Sequence, residues 1–371
     1  MRCRAFSTLV LMTCCLWPAL PAFAQRSQAA KRATKARAVS GEPAALTPAM
    51  RIVMGHIKAD ALRGHVSFLA SDLLEGRDTP SRGLDIAGEY IASQFRRYGL
   101  EPAGDQEYFQ GVMFGPEDGN PAKSRNVIGI LRGSDPTLKD QYVMLSSHYD
   151  HVGVVKEPKE GATDIIFNGA NDDASGTASV LEIAYALSSL HPRPRRSVIF
   201  ILFCCEEKGL VGSRWYAEHP AAPIVKTVAH LNLEQLGRTD ATEGVKLATL
   251  NLTGFDFSSV TQALAGAGKL TEVKVLKDEK GSDAYFNRSD NGPLARLGIP
   301  AHTASVAYGF PDYHEAGDEW QKLDYENMAK VDHALGVAIL HLANTAAPPK
   351  WNEAYAPAAQ YVEAYKKLHA E

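Results

Sequence analysis

Apolar residues recur at helical spacing over Ile52 to Leu69 and again over Leu84 to Tyr98, with Ser71 to Arg77 and a turn containing Gly and Pro between them. Beyond Tyr108 the pattern changes to short, nearly continuous apolar runs at Asn126 to Leu131, Tyr142 to Ser147, Ser197 to Cys205 and Val228 to Leu233. Runs of this length without alternation read as strands buried on both faces. Helical patterns lie among and after them, at Ala174 to Leu190, Leu210 to Glu218, Ser258 to Ala267 and Tyr325 to Leu342. The predicted fold is α/β: a mixed, mostly parallel central sheet with helices on both faces, in a single domain. No internal repeat is present.

The two ends of the chain depart from this pattern. Arg2 and Arg4 precede an apolar run from Phe6 to Leu20 that Pro18 interrupts, and Ala22-Phe23-Ala24 precedes Gln25. Residues 1–24 thus read as a secretory signal, too short and broken for a spanning helix, so the protein is expected to be exported to a periplasm or the extracellular space. Residues 25–48, rich in Ala, Ser, Lys and Arg with no apolar period, read as a basic disordered linker. The folded domain is placed at 49–345. Thr345-Ala-Ala-Pro-Pro349 closes the domain, and in the tail at 346–371 the stretch Trp351 to Glu371 is expected to be helical or irregular.

Cysteine and charge narrow the picture further. Cys3, Cys14 and Cys15 leave with the signal, so only Cys204 and Cys205 remain. Neighbours on an apolar strand point to opposite faces, which makes these two buried thiols and not a disulfide. The core alone must hold the domain. Loss of Arg2 and Arg4 takes the net charge from −4 to −6, and Arg26 to Arg37 holds five positive charges and no acid. The folded part is therefore acidic, which excludes a nucleic-acid groove. No transmembrane segment is expected.

The candidate chemistry sits at the strand ends. His148, Glu206, Glu207 and Glu234 each follow a strand run on its carboxyl side, where ligands of such sheets gather. His148 and Asp150 lean to the same side, so the carboxylate is positioned to hold the second imidazole N–H. Asn171, Asp172 and Asp173 open the Ala174 helix; an Asp there serves as an N-cap, and we read Asp173 as supporting the turn with Asp172 facing a metal. Each group alone has a bland reading: His-x-Asp is more often structural, and paired glutamates are common on surfaces. Together, imidazole nitrogen and carboxylate oxygen suit a borderline cation such as zinc, and several carboxylates can hold two ions that share a bridging Asp.

Taken in order, Ser147-His-Tyr-Asp-His-Val-Gly153, Asn168-Gly-Ala-Asn-Asp-Asp-Ala-Ser-Gly176, Glu206-Glu-Lys-Gly-Leu-Val-Gly-Ser213, Asn232-Leu-Glu234, Arg288-Ser-Asp290 and Tyr313-His314 before Asp318 resemble the co-catalytic zinc aminopeptidase family. That family also contains glutamate carboxypeptidase, glutaminyl cyclases and the catalytically silent transferrin receptor ectodomain. The resemblance runs from about Ile57 to Leu342. It implies two zinc ions bridged by Asp172, one also held by His148 and Glu234, the other by Glu207 and His314. It further implies hydrolysis of the N-terminal peptide bond with Glu206 as general base; we place Asp150 beside Glu206 among the catalytic residues, and Tyr285, from its neighbourhood alone, as a hydroxyl near the oxyanion.

Two departures from the family pattern stand out. Asn232-Leu-Glu234 replaces the usual Asn-Leu-Asp with a carboxylate one methylene longer, and Asn291 follows Arg288-Ser-Asp290 where a larger residue is common. No protease-associated domain fits between Phe114 and Val143, so loops at Val154 to Phe167 and Ala307 to Pro311 are the expected flanks of the cleft. Peptides are the expected partners. A carboxypeptidase, for which Arg288 is the candidate clamp, a one-zinc glutaminyl cyclase and a non-catalytic binding module stay open as alternatives. His151 and His302 lie close to the motifs and receive no role.

Overall fold

The computed structural model describes residues 42–115, 121–156, 161, 163–278 and 280–370. The expected signal peptide, the linker as far as residue 41 and part of the Val154 to Phe167 loop lie outside the described residues. Residues 42–47, expected as linker, belong to the folded body: Pro43 is buried and Glu42 pairs with Lys269 at 3.0 Å. Thr47 then caps the first helix, its Oγ1 accepting the Met50 N–H at 3.2 Å ahead of Pro48 at the first helical position.

The first apolar helical stretch is two helices, α1 (Pro48–His56) and α2 (Ala59–Leu69), because Ile57 and Lys58 are extended between them. After α3 (Arg82–Arg97) come the strands β1 (Glu101–Pro102), β2 (Phe109–Phe114), β3 (Ala122–Leu131) and β4 (Tyr142–His148). A small hairpin of β5 (Gly153–Val154) and β6 (Ile166–Phe167) leads to α4 (Ser175–Ser188), β7 (Ser197–Phe203), α5 (Val211–Glu218) and β8 (Thr227–Leu233). The chain continues through β9 (Asp240–Ala241), β10 (Gly244–Val245), β11 (Thr249–Leu252), α6 (Val260–Thr271), β12 (Lys274–Leu276), α7 (Asn291–Arg296) and β13 (Ala301–Ser305). It closes with α8 (Tyr325–Asn344) and α9 (Ala359–Leu368).

The main sheet has the order β1-β3-β7-β4-β8-β13-β11-β12, with β2 also on β3. Its centre, β7-β4-β8-β13, is parallel throughout, while β3 and β11 join it antiparallel on either side. The expected mixed, mostly parallel sheet is therefore a parallel block with antiparallel margins. All four central strands end on the same edge, and that edge carries the candidate residues. Strand β13 escaped the hydropathy pattern because it reads Ala-His-Thr-Ala-Ser, yet it is buried along its whole length. Its polar side chains have internal partners: His302 Nδ1 lies 2.8 Å from the Thr253 carbonyl and its Nε2 lies 2.6 Å from Ser258 Oγ.

Side chains alternate across the sheet into two cores. Val198, Phe200 and Leu202 of β7 pack with α2, α3, α4 and α8 on one face. Ile199, Ile201 and Phe203 face Tyr216, Phe286, Trp351 and Tyr361 on the other. The stretch 346–371, expected as an appendage, thus completes the second core. Trp351 Nε1 donates to the Gly298 carbonyl at 2.7 Å, and its ring stacks on Tyr361 at 5.1 Å. Cys204 and Cys205 are free and buried as expected. Their sulfurs do not point to opposite faces, however, but lie 3.3 Å apart, because β7 has ended and Cys205 takes a left-handed φ of 60°.

The buried imidazoles of the sheet give a prediction away from the strand-end cluster. Burial lowers His302 to about 4, against the pull of the Thr253 carbonyl, and burial with the His302 charge lowers His230 to about 3. An unfolded imidazole titrates near 6.5, so between about pH 6.5 and 4 the unfolded chain takes up protons that the folded chain refuses. Stability contributed by neutral His302 is therefore complete above pH 6.5 and falls as pH drops through that window. Each pH unit costs on the order of 1.4 kcal/mol for such a group. Urea midpoints measured from pH 7.5 to 4.5 should fall less steeply in His302→Asn, which keeps a donor for Thr253; equal slopes would remove His302 from the acid response.

Candidate metal centre

Three parallel strands deliver the first candidates. His148 is the last residue of β4, Glu206 and Glu207 follow the turn after β7, and Glu234 immediately follows β8. Asp172 comes from the loop ahead of α4, and His314 from the segment between β13 and α8. The structure brings all six side chains to one cleft edge. His148 Nε2 lies 3.4 Å from Asp172 Oδ1 and 4.0 Å from Glu234 Oε1. His314 Nε2 lies 3.0 Å from Asp172 Oδ2 and 3.1 Å from Glu207 Oε1. Asp172 thus sends one oxygen to each of two donor groups.

The supporting bonds explain why these side chains point inward. Asp318 accepts the backbone N–H of Asn171 at 3.0 Å and of Asp172 at 3.1 Å, holding the loop from below the ligand carboxylate. Asp173 turns away, accepting from Gly176 N at 3.0 Å, Gln235 N at 3.1 Å and Ser147 Oγ at 2.8 Å, so it ties the helix start to the ends of β4 and β8. Gly176 is required there, since a Cβ would meet the Asp173 carboxylate at 2.5 Å and the Leu233 carbonyl at 2.6 Å. Glu234 spends the extra methylene of its side chain in a short hydrogen bond from Ser289 Oγ, which in turn accepts from Asn232 Nδ2 at 2.8 Å. Ser289 lies within the Arg288-Ser-Asp290 motif, and its supporting position was not foreseen.

Asp150 differs from expectation. The His148 Nδ1 contact is with the Asp150 backbone carbonyl at 3.1 Å, and the carboxylate stands 3.7 Å away. That carboxylate instead accepts the Glu206 N–H at 3.1 Å, the Glu207 N–H at 3.4 Å and Thr79 Oγ1 at 3.3 Å. Two-residue spacing placed Asp150 on the correct side, but the chain has already left the strand, and its side chain anchors the neighbouring strand end. His151, left without a role by sequence reasoning, is fully buried with Nδ1 3.1 Å from Glu207 Oε1.

The charges are strongly coupled. Burial favours the neutral form of Glu207, yet the imidazoles of His151 and His314 hold it down to about 2. Burial acts likewise on Asp172, and His148 and His314 hold it well below the usual range. Burial pulls His314 down, but Asp172 and Glu207 raise it to about 10. Burial pushes Glu234 up to about 7 and raises Glu206 well above its ordinary range, where the charges of Glu234, Asp290 and Glu207 reinforce it. A buried cluster with more carboxylates than imidazoles favours bound positive charge.

The donor set fits zinc. Oxygen and imidazole nitrogen are its ordinary ligands, and one oxygen or nitrogen each from His151, Asp172, Glu207 and His314 lies within 4.8 Å of the others. His314 Nε2 is buried and makes no hydrogen bond with correct geometry, although two carboxylate oxygens stand about it. Its lone pair therefore aims between them. The cleft beyond has a volume of about 740 Å³, including space open to solvent, and is lined by Glu206, Tyr285, Arg288, Tyr308 and Tyr313 among others. Tyr285 and Tyr308 meet edge to face at 5.1 Å, and Tyr313 stacks on His314 at 4.1 Å. Among the described residues, no helix is long and apolar enough to cross a membrane.

Residues 126–351 match the model of peptidase family M28. The chain is 32% identical over 273 residues to a probable zinc metalloprotease of Pyricularia oryzae, covering 70% of this chain and 50% of that protein. It is 26% identical over 242 residues to a probable glutamate carboxypeptidase of Arabidopsis thaliana, covering 60% and 32%. The chain thus spans half or less of the length of these curated relatives. Its fold is similar to that of the aminopeptidase from Aneurinibacillus sp. strain AM-1, with a TM-score of 0.60 at 19% identity over 78% of this chain and 95% of that one.

Proposed function

The chain belongs to peptidase family M28, and from that premise we propose that it is an exported zinc aminopeptidase that releases residues from the free amino end of peptides. The observation that carries this reading is the split of Asp172, with Oδ1 toward His148 and Oδ2 toward His314. In the proposal His148, Asp172 and Glu234 would hold one zinc, and Asp172, Glu207 and His314 would hold a second. Bound there, the pair supplies Lewis acidity, lowering the pKa of water and polarising a carbonyl.

The chain's own residues do the remaining work. Glu206 has no ion-pair partner within 4 Å among the described residues, whereas Asp172, Glu207 and Glu234 each approach an imidazole. That leaves its carboxylate to take a proton from the attacking water and pass it to the leaving amine. Asp150, through two backbone N–H groups, fixes where the Glu206 and Glu207 side chains start. Tyr285 and Tyr308 flank the cleft as hydroxyl donors for a developing oxyanion, and the Tyr308 hydroxyl is buried without a hydrogen-bond partner among the described residues. The carboxylates around the cleft suit the positive α-amine of a peptide's first residue.

One observation favours a second reading. Arg288 lines the same cleft with its guanidinium against the Tyr285 ring at 5.2 Å, where it is positioned to meet a substrate carboxylate. Zinc-loaded protein offered peptides with free, N-acetylated or C-amidated ends separates the two readings. Cleavage confined to free amines, one residue at a time from the front, is the expected result. Cleavage of N-acetylated peptides that is lost on amidation and in Arg288→Ala would replace it with a carboxypeptidase. Export is tested by the mass of protein recovered outside the cytoplasm, which should begin at Gln25.

A further inference from the structure

His151 is the one imidazole at the cluster that sequence reasoning left without a role. Its backbone N–H bonds to the Arg77 carbonyl at 3.2 Å, so its place after β4 is fixed. Its ring lies against Gly169, where an added Cβ would meet ring carbons at 2.4 and 2.5 Å. Gly169 also holds a left-handed φ of 56°, and both facts restrict that position to glycine. The ring is completely buried, and its Nε2 has no hydrogen-bond partner among the described residues. Its carboxylate neighbours within 4 Å among the described residues lie on the Nδ1 side. They are Glu207 Oε1 at 3.1 Å and Asp172 Oδ2 at 4.0 Å, the same two oxygens that His314 Nε2 faces at 3.1 and 3.0 Å.

We propose that His151 Nδ1 is a fourth protein ligand at the metal position formed by Asp172, Glu207 and His314, so that this position binds its ion more tightly than the one at His148. The inference rests on the two-metal reading of the cleft. Four donors at about 2.0–2.2 Å from a tetrahedral zinc stand roughly 3.3–3.6 Å apart. Four of the six separations among these donors are 3.0, 3.1, 3.1 and 4.0 Å, and one donor atom from each group lies within 4.8 Å of all the others. The edge-to-face rings of His151 and His314, 5.3 Å between centroids, leave both nitrogens free to converge without collision. On the other side of Asp172, His148 and Glu234 supply only two further donors. The position with four protein donors is therefore expected to fill first and to hold its ion more tightly than the position with three.

The alternative role for His151 is to donate Nδ1–H to Glu207 and orient it without touching metal. His151→Asn and His151→Ala separate the roles, because the Asn Nδ2 sits near the place of Nδ1 and donates a hydrogen bond but does not ligate. Asn also keeps enough bulk against Gly169 should the Ala variant fail to fold. Zinc competition titrations and X-ray absorption at one equivalent of zinc are the readouts. Wild type should bind two ions and show two imidazoles around the first. Both variants should lose at least about tenfold in affinity for that ion and show one imidazole. Wild-type affinity and imidazole count in His151→Asn would overturn the assignment in favour of the hydrogen-bonding role, and unchanged binding in both variants would leave the ring only packing. Failure of the wild type to bind zinc at all would instead overturn the two-metal reading, and this inference with it.

Discussion

Glu206→Gln is expected to bind as much zinc as the unaltered protein and to lose peptide hydrolysis by about 10²–10⁴-fold in kcat, the usual contribution of a positioned general base. The loss corresponds to roughly 3–5 kcal/mol of transition-state stabilisation. The reasoning begins with two adjacent glutamates whose surroundings push them in opposite directions. Glu207 is pinned between the imidazoles of His151 and His314 and held down to about 2, as a ligand must be. Glu206, one residue earlier and half-buried, is raised well above its ordinary range by desolvation, with the charges of Glu234, Asp290 and Glu207 adding to the shift, which gives it affinity for a proton. Glutamine preserves its size and leaves the backbone N–H bonds to Asp150 untouched. The matching change Glu207→Gln should behave in the reverse order, losing metal first and activity as a consequence. Metal analysis and turnover on a free-amine peptide, run on both variants, form the check. Near-wild-type turnover in Glu206→Gln would take this residue out of the mechanism, and equal zinc loss in the two would show that the neighbours do not divide their roles.

The parts of this centre that were legible in the sequence are those carried by strand ends. An apolar run followed at once by His148, by Glu206-Glu207 or by Glu234 states both the strand and the edge on which it stops, and parallel packing of β4, β7 and β8 then brings the three together. Asp172 and His314 come from loops; Asp172 was reached from the carboxylates that open the Ala174 helix, and His314 only through motif resemblance. His151 was not reached, because it lies three residues beyond a strand, where period-two alternation no longer dictates direction. The same limit applied to Asp150, which was placed on the correct side but with its carboxylate bonded elsewhere. In the fold, β13 and the packing of the C-terminal stretch were missed for a related reason. Their residues are small, polar or aromatic in no simple period, and burial is settled by partners distant in sequence, such as Ser258 for His302 and Gly298 for Trp351.

Arg77 shows how much of the site depends on a residue that touches no substrate. It ends the short helical turn Asp72–Arg77 in a left-handed conformation, with a φ of 48°, and its side chain is 1% exposed. The guanidinium donates to four backbone carbonyls: Tyr149 at 2.9 Å, Asn168 at 2.7 Å, Gly169 at 3.0 Å and, in a short contact, Leu69. These carbonyls belong to the loop that follows His148, the loop that precedes Asp172, and the end of α2, so one planar cation holds together the two segments that present ligands. Burial lowers Arg77 to about 10 against the charges of Asp150, Asp318, Asp173 and Asp172, and it remains a cation at neutral pH. Removing it strands four carbonyls and leaves those carboxylates without a buried countercharge. Arg77→Ala should therefore cost about 3–5 kcal/mol of stability, in the range for breaking a buried charged network, and should weaken zinc binding at both positions. Arg77→Lys should rescue little, since a single ammonium cannot span acceptors arranged around a planar fork. Urea unfolding of the metal-free proteins, followed by zinc titration, tests both halves. A lysine variant as stable as the wild type would mean that only the charge is needed, and a stable alanine variant with intact zinc binding would mean that the loops hold their shape without the clamp.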